Sequence, residues 1–256
     1  MKLIVCCFFL LLTGCSATDS YIPDTQHLDR SRLPLTNLSV SIPNLSNCTD
    51  SDDKSIQIDT KSPLTILVHG CKGSAGRFRS LAQLYAFHGQ QAICFSYDVR
   101  DSLVSSADKL SVAVSELAEL TNNQSITIMG HSMGGLIARK ALEDNDNKPN
   151  ILRGKNLDLI TISAPLSGIA AANTCGVKPL HWLSGGIIPG ICWLITGSNW
   201  NEITSSSHFI LHPEPLLPSI QRYLKIVTNE WDTCRKVDDN GVCIESDYVF
   251  SLSEQN

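Results

Sequence analysis

The hexapeptide GHSMGG at 130–135 carries the strongest chemical signal in the chain. It satisfies G-x-S-x-G, and its surroundings make that pattern specific. SITIMG (125–130) before it reads as a buried strand, and Met133 to Leu142 after it reads as a helix. A serine between glycines at a strand-to-helix turn is lifted to the carboxyl end of the sheet, with its hydroxyl exposed. The helix start behind it favours developing negative charge. Ser132 is therefore the candidate nucleophile for acyl chemistry. His131 occupies the variable position of the turn and is not assigned as a base.

HGCKGS (69–74) is the second signal. It follows the apolar run TILVH (65–69) and precedes the nucleophile in the chain. That order suits a loop whose backbone N–H faces a developing oxyanion. His69 is read as a residue that holds this loop.

Positioning these segments requires a layered fold. TILVH (65–69), AICFSY (92–97), SITIMG (125–130), LDLITIS (157–163) and YLKIVT (223–228) are short, largely apolar runs. Such runs suit strands buried on both faces, as in a parallel sheet covered by helices. Helical spacing lies between them. In 106–120, Ala107, Leu110, Val114, Leu117 and Ala118 recur at three- and four-residue steps, with Ser105 and Asp108 as candidate caps. Phe78–Phe87 and Met133–Leu142 read as two further helices. The alternation predicts an α/β class with a doubly wound, mostly parallel sheet.

Together, LTILVHG (64–70), TIMGHSMGGLIARKAL (127–142) and LITISAPLSGIAAA (159–172) resemble the bacterial lipase- and esterase-like branch of the α/β-hydrolase superfamily. The resemblance covers most of 63–170 and resumes near the C-terminus. It implies an α/β-hydrolase fold with a cap insertion over about 167–213, and hydrolysis of carboxylic esters through an acyl-serine. It implies an oxyanion hole made by the backbone N–H groups of Cys71 and Met133. Asp247, in Asp247-Tyr248-Val249, resembles the acid that orients the histidine in lipases; Glu230 and Asp232 are the alternatives. On this fold the triad runs Ser, acid, His along the chain, yet no histidine follows Asp247. His208 and His212, in SSSHFILHPEP (205–215), lie after the nucleophile but before that acid. His208 is the candidate base. Other readings are an acyltransferase or thioesterase on the same apparatus, or a surface protein that keeps the fold as a binding module.

The cap contains IIPGICWLI (187–195), with Trp182 and Trp200 nearby. Such an apolar insertion beside a serine suits the acyl chain of a lipid-like ester. The expected partners are an ester substrate and a membrane. No cofactor or metal is implied: no close C-x-x-C pair suggests zinc. With a net charge of −5 and 18% charged residues, no basic nucleic-acid face is expected. With 43% of 256 residues hydrophobic, one large core is affordable.

The N-terminus reads MKLIVCCFFLLLTGC. Lys2 and the apolar run Leu3 to Leu12 fit an export signal. The run falls short of the roughly 20 apolar residues that span a bilayer. Leu12-Thr13-Gly14-Cys15 resembles the bacterial lipobox, which implies cleavage before Cys15, a diacylglyceryl group on its sulfur and, with Ser16 following, an outer-membrane location. The expected organisation is a signal peptide over 1–14, a Ser/Thr/Asn-rich tether over 15–62 with a strand near Ile56–Ile58, and the hydrolase domain over 63–256. Of ten cysteines, 6 and 7 leave with the signal and Cys15 is acylated, so seven remain. An odd number leaves at least one without an intrachain partner. Local spacing favours Cys234–Cys243 and Cys175–Cys192. Mass spectrometry of the mature protein is expected to find a lipid-modified Cys15 as the first residue; an unmodified N-terminus elsewhere removes that reading.

Overall fold

The computed structural model describes residues 29–71, 73–121, 125–145, 149–169, 201–229, 234–238, 240–246 and 251–256. In chain order the strands are β1 (Leu38–Val40), β2 (Leu45–Ser46), β3 (Ile56–Ile58), β4 (Leu64–Val68), β5 (Gln91–Phe95), β6 (Ile126–His131), β7 (Leu157–Ile162), β8 (Ile220–Ile226), β9 (Cys234–Val237) and β10 (Cys243–Ser246). The α-helices are α1 (Arg79–Phe87), α2 (Leu103–Leu120), α3 (Met133–Ala141) and α4 (His208–Leu211). All five apolar runs are strands, and they form the parallel part of a six-stranded sheet of order β2-β5-β4-β6-β7-β8.

Strand alternation divides the interior into two layers. Ile66, Val68, Ile93, Phe95, Ile126, Ile128, Leu157 and Leu159 share one core with α2 and α3. Leu67, Cys94 and Met129 belong to a second core with Ala75 and Ala82, packed by Phe78, Leu81 and Tyr85. From β4 the chain crosses to β5 on one side, then returns past β4 to β6 on the other. Connections leaving β4 and β6 therefore diverge, which makes the carboxyl ends of these neighbouring strands the topological switch point of the sheet.

Helix α2 begins a turn earlier than its periodicity suggests, because Leu103 is itself buried. Ser105 and Asp108 are not its caps. The Ser102 hydroxyl accepts the Ser105 N–H at 3.4 Å. The Glu202 carboxylate accepts the Leu103 N–H at 2.5 Å and the Ser102 hydroxyl at 2.8 Å. A partner 99 residues away leaves no local signal.

The expected tether over 15–62 needs correction within its described part. β1 pairs antiparallel with β3, and β2 adds antiparallel to β5 at the sheet edge. Ile42, Leu45, Ile56 and Ile58 are buried in the main core. Each strand offers one or two anchors, too few for periodicity to register, so 38–58 belongs to the domain. The strand expected at Ile56–Ile58 is β3. A disulfide, Cys48–Cys94, fastens this segment to β5 with a Cα separation of 5.0 Å. Its partners lie 46 residues apart. Cys234–Cys243 is bonded as expected, between β9 and β10. Cys175, Cys192 and most of the expected cap, including residues 187–195, lie outside the described residues, as does Cys15. No helix among the described residues is long and apolar enough to cross a membrane.

Non-reducing peptide mapping is expected to recover Cys48 linked to Cys94 and Cys234 linked to Cys243, with Cys71 alkylated. Breaking the first bond releases its constraint on the unfolded chain, so Cys94→Ser is expected to lower stability by about 2–4 kcal/mol in a denaturant melt.

Candidate active site

Between the end of β6 at His131 and the start of α3 at Met133, Ser132 alone makes the turn. Its backbone takes φ 53° and ψ −126°, a conformation L-residues rarely adopt. Neighbouring hydrogen bonds hold it there. The Ser132 N–H donates to the Ile162 carbonyl at 2.8 Å, and the Gly135 N–H donates to the Ser132 carbonyl at 2.8 Å. The flanking glycines answer a demand for space. A Cβ on Gly130 would stand 2.3 Å from the Gly134 carbonyl oxygen, and one on Gly134 would stand 2.3 Å from the Val68 oxygen. One on Gly135 would meet the Ala164 Cβ at 2.6 Å.

The loop after β4 faces this elbow. Val68 is in register with Gly130, so the residues that follow each strand emerge side by side. A Cβ on Gly70 would lie 3.0 Å from the Ser132 Cβ. The two segments touch at that point, with Cys71 next along one and Met133 next along the other. Cys71 is exposed and outside any disulfide. His69 is buried and its ring stacks on Tyr97, centroids 4.3 Å apart and planes 7° from parallel. The Tyr97 hydroxyl donates to the His69 carbonyl at 2.7 Å. The His69 Nδ1 lies 3.0 Å from the Gly70 carbonyl oxygen, an arrangement suited to donation from Nδ1. Burial pushes the His69 imidazole below its ordinary pKa, against the opposing pull of the Gly70 carbonyl and the Asp50 charge. Burial likewise pushes the Tyr97 phenol up, which keeps it a neutral donor. His69 thus holds the loop. Tyr97 was legible only as the last residue of an apolar strand run, with nothing to mark it as the second support.

His208 is placed elsewhere. The Phe209 ring beside it lies 5.6 Å from Lys140 Nζ. Lys140 is eight residues beyond Ser132, about 12 Å along the helix axis. The His208 ring pairs with that of His212 at 4.5 Å. Topology explains this. The chain leaves β7 at its carboxyl end and must return to the amino end of β8, so it descends beside α3. The Leu217 N–H donates to the Leu142 carbonyl at 2.9 Å on the way. His208, the expected base, stands in α4 on that descent. Asp247, Glu230 and Asp232 lie outside the described residues. At the carboxyl ends of β7 and β8, the Ser163 and Thr228 hydroxyls are 2.7 Å apart, and the Gln255 side chain bonds the Thr228 backbone at 2.9 and 2.8 Å. These contacts stitch the carboxyl ends of β7 and β8.

Residues 62–176 match the sequence model of a family described as the PGAP1-like alpha/beta domain. That match spans slightly under half of the chain. No curated protein matches the sequence significantly. Among solved structures, a mature Bacillus licheniformis lipase is 15% identical with a TM-score of 0.43, covering 71% of this chain and 69% of its own. An esterase B from Lactobacillus rhamnosis is 13% identical with a TM-score of 0.37, covering 64% and 62%. A monoacylglycerol lipase from Paleococcus ferrophilus is 19% identical with a TM-score of 0.33, covering 46% and 50%. The parallel sheet, the serine elbow at its switch point and the matched domain together make this an α/β-hydrolase fold.

The backbone at Ser132 generates a prediction. Glycine relieves the strain of a positive φ, so Ser132→Gly is expected to raise stability by about 1–2 kcal/mol in a denaturant melt, whereas Ser132→Ala is expected to change it little. Equal stability of the Gly and Ala variants would contradict a strained turn.

Proposed function

We propose that this protein is a serine hydrolase of carboxylic esters, with lipid-like esters as the favoured substrates. The observation that carries the reading is the strained Ser132 turn abutting the Gly70 loop. In this reading, Ser132 Oγ attacks the ester carbonyl while its proton passes to a base. The oxyanion that forms is stabilised by the N–H groups of Cys71 and Met133, each contributing on the order of 3 kcal/mol. Collapse of the tetrahedral intermediate breaks the bond to the alcohol, which leaves with a proton. Water then attacks the acyl-serine and releases the acid. Asp247 is the proposed orienting acid. The apolar 187–195 segment supports an acyl-chain preference, and the lipobox-like N-terminus supports anchoring at the bacterial envelope.

The placement of α4 favours a second reading, a binding module that keeps the elbow without efficient turnover. His69 is engaged by the loop, and Phe209, next to His208, has its ring 5.6 Å from Lys140 Nζ in the last turn of α3. Loss of a general base lowers rates by roughly 10²- to 10⁴-fold.

A fluorophosphonate probe separates the two. The expected outcome is slow labelling that disappears in Ser132→Ala and persists in His208→Ala. Labelling lost in both variants would make His208 the base. An unlabelled wild-type protein, folded by circular dichroism, would favour the binding module.

A further inference from the structure

We infer that Asp50 is a positioning residue for the oxyanion loop, and that the Cys48–Cys94 disulfide holds it in place; this rests on the hydrolase reading of Ser132. Asp50 lies outside the matched domain and two residues beyond Cys48, whose sulfur is bonded to Cys94 on β5. Both cysteines are fully buried beneath the residues that follow the loop, in a cluster that includes Ala75. From that anchor the Asp50 carboxylate reaches across the chain. Its Oδ1 accepts the Gly76 N–H at 3.0 Å, and its Oδ2 accepts the Ser74 hydroxyl at 3.0 Å.

The arrangement departs from ordinary capping. Ser74 stands at the N-cap of the 3-10 turn Ala75–Phe78 but makes no side-chain cap of its own. Its hydroxyl is turned to Asp50, and Asp50 takes over the Gly76 N–H that lacks an intrahelical partner. The segment 69–76 is consequently held at two ends. Tyr97 holds the His69 carbonyl, and Asp50 holds Ser74 and Gly76. Between them the Gly73 N–H donates to the Gly70 carbonyl at 3.1 Å, closing the turn that presents Cys71. Charge-assisted bonds at the distal end are stronger than neutral ones. Releasing that end frees the Cys71 N–H to drift from the position an oxyanion needs, while Ser132 stays in its turn.

Two readouts test this on the full-length protein: the rate of fluorophosphonate labelling at Ser132, and the rate of iodoacetamide alkylation of the Cys71 peptide followed by mass spectrometry. Asp50→Ala is expected to slow labelling about tenfold, as sub-ångström misplacement does, and to speed Cys71 alkylation severalfold. Asp50→Asn is expected to restore both rates to near wild type. Its amide oxygen accepts from Gly76 and its amide N–H donates to Ser74, so both bonds survive without the charge. A folded Asp50→Ala with both rates unchanged overturns the inference, and so does an Asp50→Asn that behaves like Asp50→Ala. Should Asp50→Ala fail to fold, Ser74→Ala removes one of the two bonds; faster Cys71 alkylation supports the clamp and an unchanged rate overturns it. A wild-type protein that never labels defeats the hydrolase reading, and the Cys71 rates then decide the clamp alone.

Discussion

Backbone meets backbone where α3 begins, and the site depends on that contact. The position a Cβ would take on Gly134 is 2.3 Å from the Val68 carbonyl oxygen and 2.4 Å from that of His69. The first turn of α3 therefore lies directly on the end of β4. This approach forces Gly134, and the equally tight Gly130–Gly134 contact forces Gly130. With the helix so close to the strand it follows, one residue must reverse the chain, and Ser132 does so at φ 53°. The same contact brings the loop after β4 beside Ser132. Parallel register of Val68 with Gly130 is what makes it possible.

The elements that build this contact were legible because their signals are local. Apolar runs of five to seven residues announced the parallel strands, and three- and four-residue spacing announced α2. The glycines of GHSMGG marked Ser132. Everything that was missed depends on distant partners. Cys48 pairs across 46 residues, and Glu202 caps α2 from 99 residues away. The strands of 38–58 carry their few buried residues in a background of Ser, Asn and Asp, so composition suggested a tether. His208 follows Ser132 but precedes the candidate acid, against the usual triad order, and its place depends on the return path to β8, a property of topology rather than of spacing.

The site is assembled in separable parts. The elbow needs β6, α3 and three glycines. The loop needs His69, Tyr97 and the segment after Cys48. Neither requires a base for its geometry, since the turn is held by the Ile162 carbonyl and the loop by the Tyr97 hydroxyl. The geometry of the Ser132 turn and of the loop beside it is thus independent of where any proton acceptor stands.

The strain itself bears on which reading is stronger. A non-glycine residue at such a backbone position carries a penalty on the order of 1–3 kcal/mol, against a total stability of about 5–15 kcal/mol for a typical domain. Glycine would remove most of that penalty with no steric conflict, since it only deletes a side chain. A module used only for binding gains nothing from a hydroxyl held in a disfavoured conformation against a loop whose backbone faces it. Acyl chemistry does gain, because an elbow of this kind exposes a serine hydroxyl at the start of the helix that follows it. A serine at the strained position, in contact with a loop braced from both ends, favours the proposed hydrolase over the binding module.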